Sequence, residues 1–116
     1  MADNQPTPQP TTQQVLDSLA SAADAARQAY MAALAANPGA NLSSLYQAEM
    51  KATAIWSAAE SKSLTNDPGI ATAQASLDTA TKDIRSQLAT LTDIAGWLNL
   101  VNSLVQLAST VGKFFA

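Results

Sequence analysis

The chain has 116 residues, of which 47% are hydrophobic and only 13% charged, with a formal net charge of −3 and neither cysteine nor histidine. That length suits one domain with a modest core; missing cysteine excludes disulfides and thiolate metal sites, and missing histidine removes the commonest general acid–base at neutral pH. The 6 basic residues are scattered, so no footprint exists for neutralising phosphates, and nucleic acid is excluded as a partner.

About a fifth of the chain is alanine, while the aromatic share is 5%. Alanine combines the highest helix propensity with a short side chain. The composition therefore predicts an all-α fold, an antiparallel helical bundle with close helix approach. No Val/Ile/Thr-rich alternating run or Asn-Gly pair announces a strand or hairpin.

Residues 1–11 interleave Pro6, Pro8 and Pro10 with polar residues. Such a stretch lacks backbone donors and favours extended geometry, so a disordered tail is expected ahead of a single domain at 12–116. No basic segment leads into an apolar stretch with a cleavage site. The expectation is a cytoplasmic protein or one exported by a route that needs no cleaved signal.

The first helix is expected at 12–36. Val15, Leu19, Ala22, Ala26, Ala29 and Ala33 recur at spacings of three and four, flanked by Leu16, Tyr30 and Leu34. Asn37-Pro38-Gly39 stops it, since proline breaks the ladder and glycine accepts positive φ. The second is expected at 42–63, capped by Asn41, Ser43 or Ser44, with Ser44 and Gln47 spaced as a capping box. Leu45, Ala48, Ala52, Ile55 and Ala59 form its seam, which Tyr46, Met50 and Trp56 widen. Aromatic residues at that spacing read as core or interface.

Asp67 followed by Pro68 signals the start of a third helix, expected at 69–91. Ile70, Ala73, Leu77, Ala80, Ile84, Leu88, Leu91 and Ala95 recur at helical spacing as its seam, and Asp78 with Lys82 fits an i,i+4 ion pair. No Pro-Gly break follows. A single helix on to the chain end would be about 70 Å long, twice its neighbours, at 1.5 Å per residue. Thr92-Asp93 can cap a separate fourth helix at 94–115; the alternative is three helices with a long kinked third.

On a helical wheel, Asn99, Asn102, Ser103, Gln106, Ser109, Thr110 and Lys113 of that last segment fall in one stripe of about 120°. A lone transmembrane span would not order its polar residues so. A membrane-surface helix would need a polar face rich in Lys or Arg, and only Lys113 is there. The apolar arc is nevertheless wider than a surface helix of a small bundle needs. Either the bundle uses all of it, or part is left for a partner. Trp97, Leu98, Leu104, Leu107, Val111, Phe114 and Phe115 are the candidate interaction residues.

Chemistry finds little footing. Asp17 and Asp24 share a helix face but read as solvated acids, and Asp78 and Asp83 diverge. No Gly-rich phosphate loop or metal-ligand spacing occurs. No catalytic residue, cofactor or metal is expected, and the protein is not expected to be an enzyme.

The stretch AALAANPGANLSSLYQAEMKA, from Ala32 to Ala52, resembles the helix-turn-helix of type III secretion needle subunits. An alanine/leucine-rich helix breaks at a proline turn, and the next opens with leucines and a Tyr-Gln pair, here Leu45-Tyr46-Gln47. The resemblance implies a bacterial protein that leaves the cell without a cleaved signal and polymerises through its termini. This chain departs from that pattern in having one proline in the turn and in continuing for two further helices. The expected function is non-catalytic: self-association or binding of an unknown protein partner, in an exported or surface-associated setting. The alternative is a membrane-active protein whose last helix inserts into or lies on a bilayer.

Overall fold

Four helices form in the computed structural model: α1 Thr12–Ala36, α2 Ser43–Glu60, α3 Ile70–Gln87 and α4 Ile94–Gly112. The structure describes residues 9–90 and 93–116. The expected tail up to residue 8, Leu91 of the third seam and Thr92 of the fourth cap lie outside the described residues. Among the described residues no strand forms beyond one isolated bridge, Leu64 with Phe115.

Side chains cap the starts of two helices, α1 and α4. Thr11 and Gln14 form a capping box: the Gln14 amide donates to Thr11 Oγ1 at 3.1 Å, and the Thr11 amide to Gln14 Oε1 at 2.9 Å. Asp93 Oδ1 accepts the Ala95 amide at 3.1 Å at the start of α4. Asp67 Oδ1 accepts the Gly69 amide at 2.7 Å, but α3 starts at Ile70 with Gly69 in the cap position and no side-chain cap, so Asp67 is not the cap that Asp67-Pro68 announces. The caps at Thr11 and Asp93 are each worth about 1 kcal/mol. The α2 start differs from expectation. Its cap position is Leu42, with no side-chain cap, and Asn41 Oδ1 takes the Ser43 amide at 3.0 Å, so the Ser44–Gln47 box does not form. Leu42 is instead buried in the core, so the start of α2 is held by apolar contact. Between α1 and α2, Gly39 adopts φ +81°, where a side chain would be strained.

Three helix ends fall short of expectation. α2 stops at Glu60, before 63, because the chain must leave to cross the bundle end; α3 stops at Gln87 in a turn closed by the Thr90 amide on the Gln87 carbonyl. α4 stops at Gly112, and tighter turns carry Phe114 and Phe115 into contact with the crossing chain.

Packing follows from which helices can approach. α1 and α4 each contact the other three helices, whereas α2 and α3 share no contact. The cross-section is therefore a rhombus with α1 and α4 on its short diagonal, and the Cα envelope measures 29 by 16 Å across the two shorter axes. α1 can sit centrally because its buried face is mostly alanine: Ala22, Ala23, Ala25, Ala26, Ala29 and Ala33, with Val15 and Leu19. Larger partners fill the space left, chiefly Trp97, Leu104, Leu77, Ile84 and Leu45, all under 2% exposed. The buried hydroxyls are satisfied, Ser18 accepting from Gln74 Nε2 and Thr81 donating to the Leu77 carbonyl.

Because α2 and α3 lie at opposite corners, residues 61–69 must cross the end of the bundle. They are clasped there from both sides. Ser63 and Ala116 exchange backbone hydrogen bonds at 3.2 and 2.9 Å, and the Thr65 amide donates to the Phe114 carbonyl at 2.8 Å. Gln9 donates to the Thr65 carbonyl and accepts from the Asp67 amide, and Thr12 Oγ1 accepts from the Leu64 amide. Residues 9–11, read from sequence as tail, are thus held against the bundle.

Candidate interaction surface

α4 carries all seven residues singled out from the sequence or sits next to them. Trp97, Leu104, Val111 and Phe115 are buried in the chain's own core. Leu98, Leu107 and Phe114 are partly buried against it. The whole polar stripe, Asn99, Asn102, Ser103, Gln106, Ser109, Thr110 and Lys113, is exposed. Between stripe and core lie two half-covered flanks. Leu98 and Val105 share the side of Gly112, whose Cα faces Ile55 of α2, and Leu107 faces α3 across a shallow groove. The wide apolar arc thus matches a helix with three neighbours. α4 is also, among the described residues, the helix long and apolar enough to cross a membrane, with 19 residues at mean hydropathy 1.2 and 28% of that span buried.

The exposed apolar surface is elsewhere. Every large hydrophobic side chain exposed among the described residues belongs to the α1–α2 hairpin: Met31 (54%), Leu34 (40%), Tyr46 (47%) and Met50 (49%). The helices set this cluster by their register. Tyr30 and Tyr46 pack with ring centroids 5.5 Å apart, and the antiparallel pairing continues away from the turn. Arg27, Ala23 and Ala20 of α1 then stand level with Glu49, Thr53 and Trp56 of α2, lining one open groove with Asp24 and Met50. Met31 stands about 160° from the core direction of α1, so α1 cannot bury it.

The sequence lists Tyr30, Leu34, Tyr46 and Met50 beside the seams but does not single them out as a surface. The signal was present in part: with Leu16, Met31 and Trp56 these are the large apolar residues of the first two helices that miss the seams, but Leu16, Tyr30 and Trp56 are partly buried against the core. What obscured it was α4, whose greater hydrophobicity draws attention to a helix the fold surrounds.

The acidic candidates are engaged by neighbours. Asp17 accepts from Gln13 at 2.8 Å, and Asp24 pairs with Arg85 at 3.1 Å. Arg85 also donates to the Ser21 hydroxyl and carbonyl and to Gln28, tying α3 to α1. The expected Asp78–Lys82 pair does not form; Arg85–Asp24 is the ion pair found among the described residues. No group of three or more Asp or Glu side chains converges there as a metal site would require. Comparison with protein-family models, curated proteins and solved structures finds no match to this chain.

Proposed function

We propose that this protein is a non-catalytic helical bundle that acts through protein–protein contact, and that the contact face is the outer side of the α1–α2 hairpin. The observation that carries the reading is the confinement of Met31, Leu34, Tyr46 and Met50, exposed by 40 to 54%, to that hairpin. Clustered exposed apolar side chains mark interaction sites far more often than scattered ones do. Tyrosine and methionine suit the task, one as a rigid amphipathic anchor, the other as an adaptable filler. The same hairpin bears the stretch resembling needle subunits, which supports assembly rather than catalysis. Export or surface association of a bacterial protein is part of the proposal. Its test is a photo-crosslinking side chain at position 50 in the source cell. A covalent adduct with a protein, lost when Tyr46→Asp is added, is the expected result; labelling of no protein sinks the reading.

A second reading rests on α4, whose 19 residues reach a mean hydropathy of 1.2 while its flanks are only half covered. In it, α4 leaves the bundle and inserts in a bilayer. Flotation with neutral and anionic liposomes, at neutral and acidic pH, separates the two: the hairpin reading predicts that the protein stays at the bottom of the gradient in every case.

A further inference from the structure

The hairpin face carries a charge arrangement that selects among partners. Arg27 on α1 and Glu49 on α2 line the same groove at the same level, flanked by Met50. Neither side chain takes part in an ion pair or hydrogen bond among the described residues, whereas Asp24 beside them is engaged by Arg85. Two opposite charges at one level, on antiparallel helices, form a self-complementary pattern. A two-fold axis parallel to the helices places α1 of one copy over α2 of the other, at unchanged height. Arg27 of each copy then meets Glu49 of the other, and the four charges alternate around a square. The same operation sets Met31 of one copy against Tyr46 of the other, one turn toward the hairpin tip, and leaves Met50 beside the charges.

We infer that the occupant of this face is a second copy of the chain, docked by a two-fold axis parallel to α1 and α2 into a four-helix interface. This rests on the hairpin reading above and narrows its partner. The size of the face fits a reversible contact. α2 has 18 residues, about 27 Å of helix, and two helices side by side span about 20 Å. The pair would cover about 1,100 Å², at the low end of specific interfaces, so dissociation in roughly the micromolar range is expected. The alternating charges set register more than strength, and reversing one turns two attractions into two repulsions.

The experiment uses the purified full chain in light scattering and sedimentation over a concentration series. Wild type is expected to rise from 12.0 kDa toward twice that mass. Arg27→Glu and Glu49→Arg are each expected to weaken self-association by about tenfold or more, since each creates two like-charge contacts. Mixing the two variants is expected to restore a dimer containing one chain of each, because both cross-copy pairs become opposite again. Both positions face the open groove, and circular dichroism checks that both variants remain folded. A wild type that stays monomeric throughout, or variants that associate as wild type does, or a mixture that recovers nothing, each overturns the inference. The crosslink at position 50 separates that failure from failure of the parent reading: an adduct with a foreign protein keeps the face and removes the second copy, while no adduct removes both.

Discussion

At Trp97 two effects oppose one another. The side chain is fully buried and its Nε1 has no hydrogen-bond partner, although it is the largest group filling space beside alanine-lined α1. An orphaned buried donor costs about 1 to 3 kcal/mol, while emptying such a site costs about 3 to 5. Trp97→Phe removes the unpaired N–H and keeps most of the ring, so the net change should stay within about 1 kcal/mol. Trp97→Ala should lose the full 3 to 5 kcal/mol or about that. Urea denaturation of the two variants, followed by circular dichroism, checks the contrast; equal losses would mean that the indole nitrogen is satisfied in solution. The burial of Trp97 was not legible from sequence, because its position on the wheel marks it as apolar without saying what lies opposite. Met31 poses the converse case: it falls off the α1 seam, and that alone foretells its exposure.

At the scale of the element, helix positions were readable because punctuation and periodicity agree. Asn37-Pro38-Gly39 ends α1 within a residue of expectation, and Asp93 starts a fourth helix where a continuous one would have overrun its neighbours. Starts and stops set by tertiary contact were not readable. Leu42 replaces a polar cap at α2, and α2 ends early because its next residues are drawn across the bundle. The breadth of the apolar arc on α4 was visible, but its reason is a neighbour count that no single helix encodes. α4 contributes Trp97, Val101, Leu104, Ala108 and Val111 to the core and meets all three other helices. A chain ending at Asp93 is therefore expected to lose cooperative thermal unfolding and most of its helical ellipticity. If such a chain melts cooperatively near the wild-type temperature, α4 is an accessory to the bundle and the insertion reading gains ground.

At the scale of the molecule, two antiparallel hairpins, α1–α2 and α3–α4, dock with α1 parallel to α3. The order of contacts shows this: Gln74 reaches Ser18, and Arg85, further along α3, reaches Ser21, Asp24 and Gln28, further along α1. Sequence alone predicts antiparallel neighbours along the chain and cannot choose between a square ring and this rhombus, since both bury the same seams. The choice depends on alanine along α1, which lets α4 approach across the centre and holds α2 and α3 apart.

The crossing segment 61–69 is thereby also a tether of fixed reach. Its nine residues, between Glu60 and Ile70, extend to at most about 30 Å. Each hairpin's docking face is complete in itself, so nothing but this tether decides that a hairpin closes on its own chain and not on another. Deleting four connector residues leaves a reach of about 17 Å and loses the clasp at Ser63 and Thr65. Hairpin exchange between two chains then satisfies every helix contact that one chain alone no longer can. The shortened protein should emerge as an intertwined dimer of twice 12.0 kDa that does not dissociate on dilution. Its mass should be indifferent to Arg27→Glu, which distinguishes it in a single sedimentation run from the reversible pair. A shortened chain that remains a folded monomer would show that the bundle end has slack the clasp merely conceals.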